Sequence, residues 1–295
     1  MDLFKFAEGQ NLPSGTLYVV ATPIGNLADI TIRALYVLQQ VDGIACEDKR
    51  HSSSLLSAYG ISKPLLAVHE HNEKSSSAQI VEKLKLGERW AYISDAGTPA
   101  VSDPGSVLVQ EIRSAGLKVI PIPGASAITT AISACGDFLQ KTEGSFQFLG
   151  FLPTKAGQRT IAIEAALAAT VTSFFYEAPH RIQTTLKAFH DLLDEDRRIF
   201  VAKELTKIHE NIQIIRAGDI PGWMAQIDSW QGEYIVGIEG VGASNAPSNF
   251  DENTLKWVKE LQLHLSHKDL SEIVSTVSGM PKKDVYKQLL DLKTP

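Results

Sequence analysis

Several things are scarce in this chain of 295 residues, and each scarcity removes a class of protein. Only two cysteines occur, Cys46 and Cys135, far apart and in no metal-ligand spacing. That leaves neither a disulfide framework nor a zinc site, so both are expected as buried thiols and no metal is expected. Positive charge is in deficit: 28 Lys and Arg stand against 34 Asp and Glu, a formal net charge of −6. A protein that coats nucleic acid without regard to sequence is excluded, because such binding runs on neutralised phosphates. No apolar run approaches the roughly 20 residues that cross a bilayer. The opening MDLFKFAEGQN has neither a basic segment with an apolar core nor a cleavage signature, so a cytoplasmic protein with no membrane partner is expected. G-x-G-x-x-G does not follow the first strand-like run, and G-x-x-x-x-G-K-[ST] occurs nowhere, which argues against Rossmann dehydrogenases and P-loop NTPases. Internal repeats and low-complexity segments are missing too.

What is present suits a globular α/β protein. Apolar residues make up 44% and charged residues 21%, and the length favours two domains over one. From Thr16 to Pro123 strand-like runs alternate with helical spacing: Thr16–Ala21, Gly43–Cys46, Lys63–His69, Trp90–Ile93 and Leu117–Ile122 as strands. Helices are expected from about Asp29 (as N-cap) to Gln39, after the serines 52–54, over Ala78–Leu86 and from Ser106. This alternation implies a mostly parallel sheet with helices on both faces. A helix over Gly124–Cys135 leads into a second unit, with strands at Phe146–Leu152, Val171–Tyr176, Arg198–Ala202, Ile212–Arg216 and Tyr234–Glu239. Helices Gln158–Ala168 and Arg181–Leu193 lie between them. Shorter connections there imply a mixed sheet. Gly242–Asn249 reads as a linker, and the residues after it show only helical periodicity, in a stretch too small for a large core. The expected domains are 1–123, 124–241 and a helical extension over 250–295.

The most informative stretch runs from Trp90 to Gly105: a short strand, then a loop rich in Asp, Gly, Ser, Thr and Pro, then a helix. In open α/β sheets ligands bind beyond the carboxyl ends of strands. Gly97 and Gly105 let the backbone approach a ligand, Pro99 and Pro104 stiffen the loop, and Asp95 and Asp103 are acceptors. Two similar loops, Thr22–Asn26 and Pro121–Ala127, fall on the same rim. Singly each is ordinary turn chemistry; three together point to a ligand cradle. His69-Glu-His-Asn-Glu73 places two imidazoles on one face of an extended segment, with hydrogen bonding favoured over metal because no third ligand is evident. Tyr176-Glu-Ala-Pro-His-Arg181 fits equally a salt-bridged scaffold or the rim of a cleft. Lys203–Glu210 carries the same two readings, with Glu204 directly after a buried-looking strand.

Taken together, GTLYVVATPIGNLADIT, EDKRHSSSLL, HEHNE, ISDAGTPAVSDPG, VIPIPGASA, GFLP, YEAPHRI, KELTKIHE and QGEY resemble the tetrapyrrole-methylase superfamily. Within it they are similar to the branch that methylates cytidine 2′-hydroxyls of small-subunit ribosomal RNA. The resemblance runs in order from about Gly15 to Gly240. It implies two α/β domains, unlike the usual Rossmann methyltransferase, with S-adenosyl-L-methionine in the cleft between them, a homodimer, and as substrate a cytidine ribose of 16S ribosomal RNA at the decoding centre. The implied cofactor segments fall on Pro23 and Gly25, on Asp95, Ala96, Gly97 and Thr98, on Val101, Ser102 and Asp103, on Gly124, Ala125, Ser126 and Ala127, and on Tyr176, Glu177 and Ala202. Three departures stand out: Ala125 replaces a proline, Gly136-Asp137-Phe138 replaces Gly-Leu-Pro, and Trp230-Gln231 replaces basic residues.

Methyl transfer from a sulfonium is an in-line displacement that needs no metal. Positioning supplies roughly 7–11 kcal/mol of such a barrier, and a placed base about 10²–10⁴-fold more. Candidates for polarising the hydroxyl or fixing the ribose are Glu47, Arg50, His69, Glu177 and Glu204, with Glu177 or Glu204 expected at the reacting oxygen. Phosphate-contact candidates are Lys49, Arg50, Arg181, Lys203, Lys207, Lys282 and Lys283, and the C-terminal helices are expected to extend the RNA surface. Two other readings remain: a C-methyltransferase of corrin or porphyrin precursors, and a non-catalytic RNA-binding ribosome-assembly protein that keeps the cleft.

Overall fold

The structure is a computed structural model that describes residues 3–69, 72–242, 250, 252–278 and 280–292. Strands β1 (Thr16–Val20), β2 (Gly43–Cys46), β3 (Leu65–Ala67), β4 (Arg89–Ile93) and β5 (Lys118–Ile122) form one sheet in the order β3-β2-β4-β1-β5. Every pairing in it is parallel. Parallel neighbours need crossovers, and α1 (Ile32–Gln40), α2 (Lys49–Ala58), α3 (Glu73–Lys85) and α4 (Ser106–Ser114) supply them. Successive strand residues face opposite ways. Tyr18 and Val20 therefore enter one core with Val37, Leu38 and Ile44, while Leu17 enters the other with Ile80, Tyr92 and Leu108.

After α5 (Ala127–Ser133), strands β6 (Phe146–Phe151), β7 (Thr172–Glu177), β8 (Arg198–Lys203), β9 (Asn211–Arg216) and β10 (Tyr234–Ile238) form a second sheet, ordered β6-β7-β10-β8-β9. Only β6 and β7 run parallel; the other pairs are antiparallel, giving the mixed sheet expected. Helices α6 (Ala156–Ala168), α7 (Ile182–Leu192) and the short α8 (Ile220–Met224) pack on one face. The other face turns toward the first sheet. There Phe138, Phe174, Phe200 and Ile235 share a core with Ile24, Ile128 and Ala131, which ties the two sheets together.

Several boundaries differ from expectation, for local reasons. The cap of α1 is Thr31, whose hydroxyl accepts from Ala34 N at 3.1 Å, not Asp29, which closes a preceding 3-10 turn capped by Asn26. Helix α2 starts at Lys49, ahead of the serines, because Asp48 caps it through Arg50 N at 2.7 Å. Helix α3 likewise begins at Glu73 rather than Ala78: Ser76 and Ser77 send their hydroxyls to Ala67 O (3.1 Å) and Glu73 O (2.6 Å), so a serine run that reads as loop is helical. Gly124–Ser126 stays outside α5 as a turn. The linker reading falls on 243–249, which lie outside the described residues. Beyond it, α9 (Glu252–Leu261), α10 (His267–Ser278) and α11 (Lys282–Asp291) bury a small core of their own, with Val258, Leu270, Val274, Val285 and Leu289.

Candidate functional site

The three loops that follow β1, β4 and β5 meet, because those strands are neighbours in the sheet. Thr22 and Gly97 exchange both backbone hydrogen bonds, at 2.9 and 3.0 Å, and Thr98 Oγ1 donates to Ala125 O at 3.0 Å. Within the β4 loop the backbone is left-handed at Gly97 (φ 78°) and also at Ala100 (φ 65°) and Ser102 (φ 66°). Two non-glycine residues so placed store strain that the surroundings must hold, a pattern concentrated at ligand sites. The anchor is Glu73, the last residue of HEHNE. Its buried carboxylate accepts from Gly105 N (2.9 Å), Val107 N (3.1 Å) and Leu108 N (3.2 Å) at the start of α4. These are the donors a helix leaves unpaired, met by a negative charge at the positive end of its dipole. Gly105 is required here because a Cβ would overlap the Tyr92 ring.

Between these loops and the second sheet lies a cavity of about 290 Å³. Ala96, Gly97, Thr98, Val101, Asp103, Ser126, Ala127, Tyr176, Glu177 and Ala202, all expected from the sequence, line it. The other expected residues lie outside that lining. Asp95 Oδ1 accepts from Asp48 N at 3.3 Å, Gly124 abuts Ala21, Gly25 abuts Thr206 and Lys207 of the second sheet, and Ser102 lies close to Gly150. Pro23 is buried in the first loop. Ile24, Phe151, Ala178, Pro179, Leu205, Glu233, Tyr234 and Ile235 complete the lining and were not anticipated. Phe151, Ala178, Pro179, Glu233 and Tyr234 were signalled only by membership of the GFLP, YEAPHRI and QGEY segments, Leu205 by KELTKIHE and Ile24 by the Thr22–Asn26 loop, while Ile235 had no signal.

The electrostatics of the cavity are one-sided. Asp103, Glu177 and Glu233 line it, with no Lys, Arg or His among its described lining residues. Burial, then the charge of Asp95, push the Asp103 carboxyl up; burial, then Asp95 and Asp103, do the same to Glu47. A buried acidic group held above its ordinary range is relieved by a cation, so this wall fits a positively charged ligand.

Glu177, Tyr234 and Lys203 stand side by side at the ends of β7, β10 and β8, since Tyr234 pairs with Glu177 on one side and Lys203 on the other. Glu177 is fully engaged. Oε1 accepts from Ala178 N (2.8 Å), Oε2 accepts from Thr185 Oγ1 (2.5 Å) and Arg181 Nη2 (3.4 Å), and the Arg181 guanidinium forms an ion pair with the carboxylate at 3.1 Å. These partners tie the Glu177 carboxylate, expected from the sequence at the reacting oxygen, to the β7 turn and to the start of α7. Arg181, expected from the sequence at RNA phosphates, has a side chain only 15% exposed, which also donates to Leu152 O. Glu204, at φ 53°, accepts on Oε1 from Lys207 Nζ (2.8 Å) and Glu233 N (2.9 Å). Burial pushes this carboxyl up, but those two hydrogen bonds and the charges of Lys207 and Lys203 outweigh it and hold it below the usual range. Lys207 also pairs with Glu233 at 3.0 Å, and Lys203 donates to Ser229 O at 2.6 Å.

The remaining candidates sit apart. Arg50 is almost fully exposed and bonded to Asp48 at 3.3 Å, with Lys49 exposed beside it at the start of α2. His69 is half-buried, and Asn72 N donates to its carbonyl at 2.9 Å, closing a turn where an extended segment was expected. The partner imidazole, His71, lies outside the described residues. No cluster of metal-ligating groups occurs among the described residues. Lys282 pairs with Glu272 at 2.7 Å, and Lys283 is exposed next to it on α11. No helix among the described residues is long and apolar enough to cross a membrane.

This sequence and architecture have counterparts. Residues 16–221 match the family described as Tetrapyrrole (Corrin/Porphyrin) Methylases. A Ribosomal RNA small subunit methyltransferase I of Haemophilus influenzae is 44% identical over 277 residues, covering 92% of this chain and 95% of that one. Its namesake from Pseudomonas aeruginosa is 39% identical over 95% of this chain and 98% of its own. In three dimensions, a diphthine synthase superposes with a TM-score of 0.58 at 14% identity, over 76% of this chain and 90% of that one, which speaks for the fold alone. On these grounds the chain belongs to the tetrapyrrole (corrin/porphyrin) methylase family.

Proposed function

We propose that this protein is a methyltransferase of small-subunit ribosomal RNA that uses S-adenosyl-L-methionine and acts on the 2′-hydroxyl of a cytidine in 16S RNA at the decoding centre. The observation that carries the reading is the interdomain cavity, assembled from the three loops of the first sheet and the strand ends of the second, in which the charged side chains among the described lining residues are all acidic. When bound, the sulfonium donor supplies an electrophilic methyl group. Asp103, with Asp95 behind it, offsets the positive charge, while the Ala96–Thr98 and Ser126–Ala127 backbone, Ile24 and Tyr176 enclose the apolar and adenine parts. Tight enclosure excludes water and fixes the attack line, the main resource for an in-line displacement. Glu204, held ionised by Lys207 and the Glu233 N–H, accepts the hydrogen bond of the ribose hydroxyl and raises its nucleophilicity. Glu177 and Arg181 keep the β7 turn in place; Glu47, Arg50 and His69 lie on the first-sheet side of the cleft.

Lys49, Arg50, Lys203, Lys207 and the α11 pair Lys282 and Lys283 serve the phosphates, so the helical extension widens the RNA surface. The chain acts as a homodimer in the cytoplasm, a reading supported by Phe146 and Leu149 left exposed on the edge strand β6. The test is transfer of labelled methyl from S-adenosyl-L-methionine to small ribosomal subunits lacking the modification, followed by nuclease digestion. Label recovered in 2′-O-methylcytidine is expected. Label appearing only in a uroporphyrinogen-type acceptor, or in neither, would reject the proposal in favour of a tetrapyrrole methylase or a binding protein.

A further inference from the structure

Beside the donor cavity lies a larger one of about 510 Å³, with Tyr234 as a wall common to both. None of the residues assigned to the donor lines this second space. Its chemistry differs in kind. The indoles of Trp223 and Trp230 meet edge to face, 6.0 Å between centroids at 78°, and both line the cavity. Amide and carboxylate groups of Asn211, Gln226 and Asp228 bring both donors and acceptors, and Lys203 and Glu204 sit at the rim nearer Tyr234. The Tyr234 side chain is only 4% exposed, and its hydroxyl has no hydrogen-bond partner. Buried polar groups nearly always have one. Burial, followed by the Glu204 charge, pushes this phenol up to about 12, so near neutral pH it remains a donor.

We propose that the second cavity seats the base of the reacting nucleotide, unstacked from single-stranded ribosomal RNA and laid against Trp230, with Tyr234 Oη donating a hydrogen bond to it. This rests on the RNA methyltransferase reading of the donor cavity. Unpaired bases are recognised by stacking on aromatic side chains and by hydrogen bonds to their edges, which are the two kinds of group gathered here. The shared wall places the ribose of such a nucleotide next to the donor cavity, at Glu204. Here Trp230-Gln231 fill the cavity lining with stacking and amide groups in place of charge.

The experiment compares kcat/KM for small ribosomal subunits among the wild-type full chain, Trp230→Ala, Trp230→Phe and Tyr234→Phe, with donor affinity measured by calorimetry and stability by thermal unfolding. Stacking lost at one base weakens binding by about tenfold or more, so Trp230→Ala should lower kcat/KM by about tenfold and Trp230→Phe should recover most of it. Tyr234→Phe should lower it several-fold with Tm unchanged or raised, because the hydroxyl holds nothing in the protein itself. Donor affinity should stay within about twofold in the two Trp230 variants, since Trp230 does not line the donor cavity. Variants that methylate as the wild type does, or Trp230 variants whose losses follow a matching loss of donor affinity, would overturn the assignment of this cavity while leaving the RNA methyltransferase intact. A wild type that transfers nothing to RNA would overturn both.

Discussion

The first sheet, wholly parallel, meets the donor cavity with backbone turns and one acidic side chain, Asp103, whereas the second, mixed sheet meets it mainly with side chains at and next to the ends of β7, β8 and β10. The contrast follows from topology. Parallel strands end on one rim, so loops after β1, β4 and β5 collect there and can be held by one another, as Thr22 and Gly97 or Thr98 and Ala125 hold each other. Antiparallel neighbours send alternate ends to that rim, and function must be carried by side chains aligned across the register, as Glu177, Tyr234 and Lys203 are. A ligand recognised by its charge and shape suits the first kind of wall; a ligand that must be chosen among similar ones suits the second.

The sharpest way to break this contrast is at Glu177, the structural member of the second wall. Glu177→Gln leaves the largely buried Arg181 guanidinium without its charge partner, and removal of one member of a buried pair costs about 3–5 kcal/mol. Chemical denaturation should report a loss of that order; a fall in methyl transfer with stability intact would return Glu177 to the reaction itself. Next comes Glu204→Gln, expected to lower the single-turnover rate by about 10²-fold, the lower range for a positioned base, with donor affinity unchanged. An unaltered single-turnover rate would remove Glu204 from the reacting oxygen.

The first wall is tested through charge. Asp103→Asn should weaken donor binding by about tenfold, the scale of one charge-assisted contact, without lowering stability, since it relieves repulsion from Asp95 and Glu47. The pH dependence has a definite sign. Burial and Asp95 raise the Asp103 pKa, so it takes up a proton at a higher pH than a free aspartate and donor affinity declines as pH is lowered from neutrality toward the ordinary carboxylate range. Asp103→Asn should flatten that decline. The smallest effect belongs to the helical extension: Lys282→Ala with Lys283→Ala should reduce affinity for RNA only a few-fold and shallow its salt dependence by up to about two phosphate contacts. An unchanged salt slope would place α11 away from RNA.

The same contrast governs how much could be read from the chain alone. The first wall was legible because its information is local: strand, then Gly and Pro in one loop, three times along the sequence, with Asp added in the loop after β4. Fold class, and the loop residues of the cavity from Ala96 to Ala127, came from such segments. The second wall was legible only in part: Tyr176, Glu177 and Ala202 came with the family resemblance, but Tyr234, Glu233 and Leu205 acquire their positions from cross-strand register, and a lone tyrosine after Gly-Glu carries no periodicity of its own. Glu73 was missed for a related reason. Its partners at Gly105, Val107 and Leu108 lie some thirty residues on, and a serine-rich run after it hid the helix that aims it. For Arg181 both readings stayed open, because a basic residue at a strand end looks the same whether it faces phosphate or a buried carboxylate.

Calorimetric titration of S-adenosyl-L-methionine into the full chain, at neutral pH and again with Asp103→Asn, probes the cavity most directly. Saturable binding of one donor per chain, clearly weaker in the variant, is the result predicted. No binding heat in a folded wild-type protein, or equal affinity in the two, would contradict an acidic cleft built to receive a cationic methyl donor.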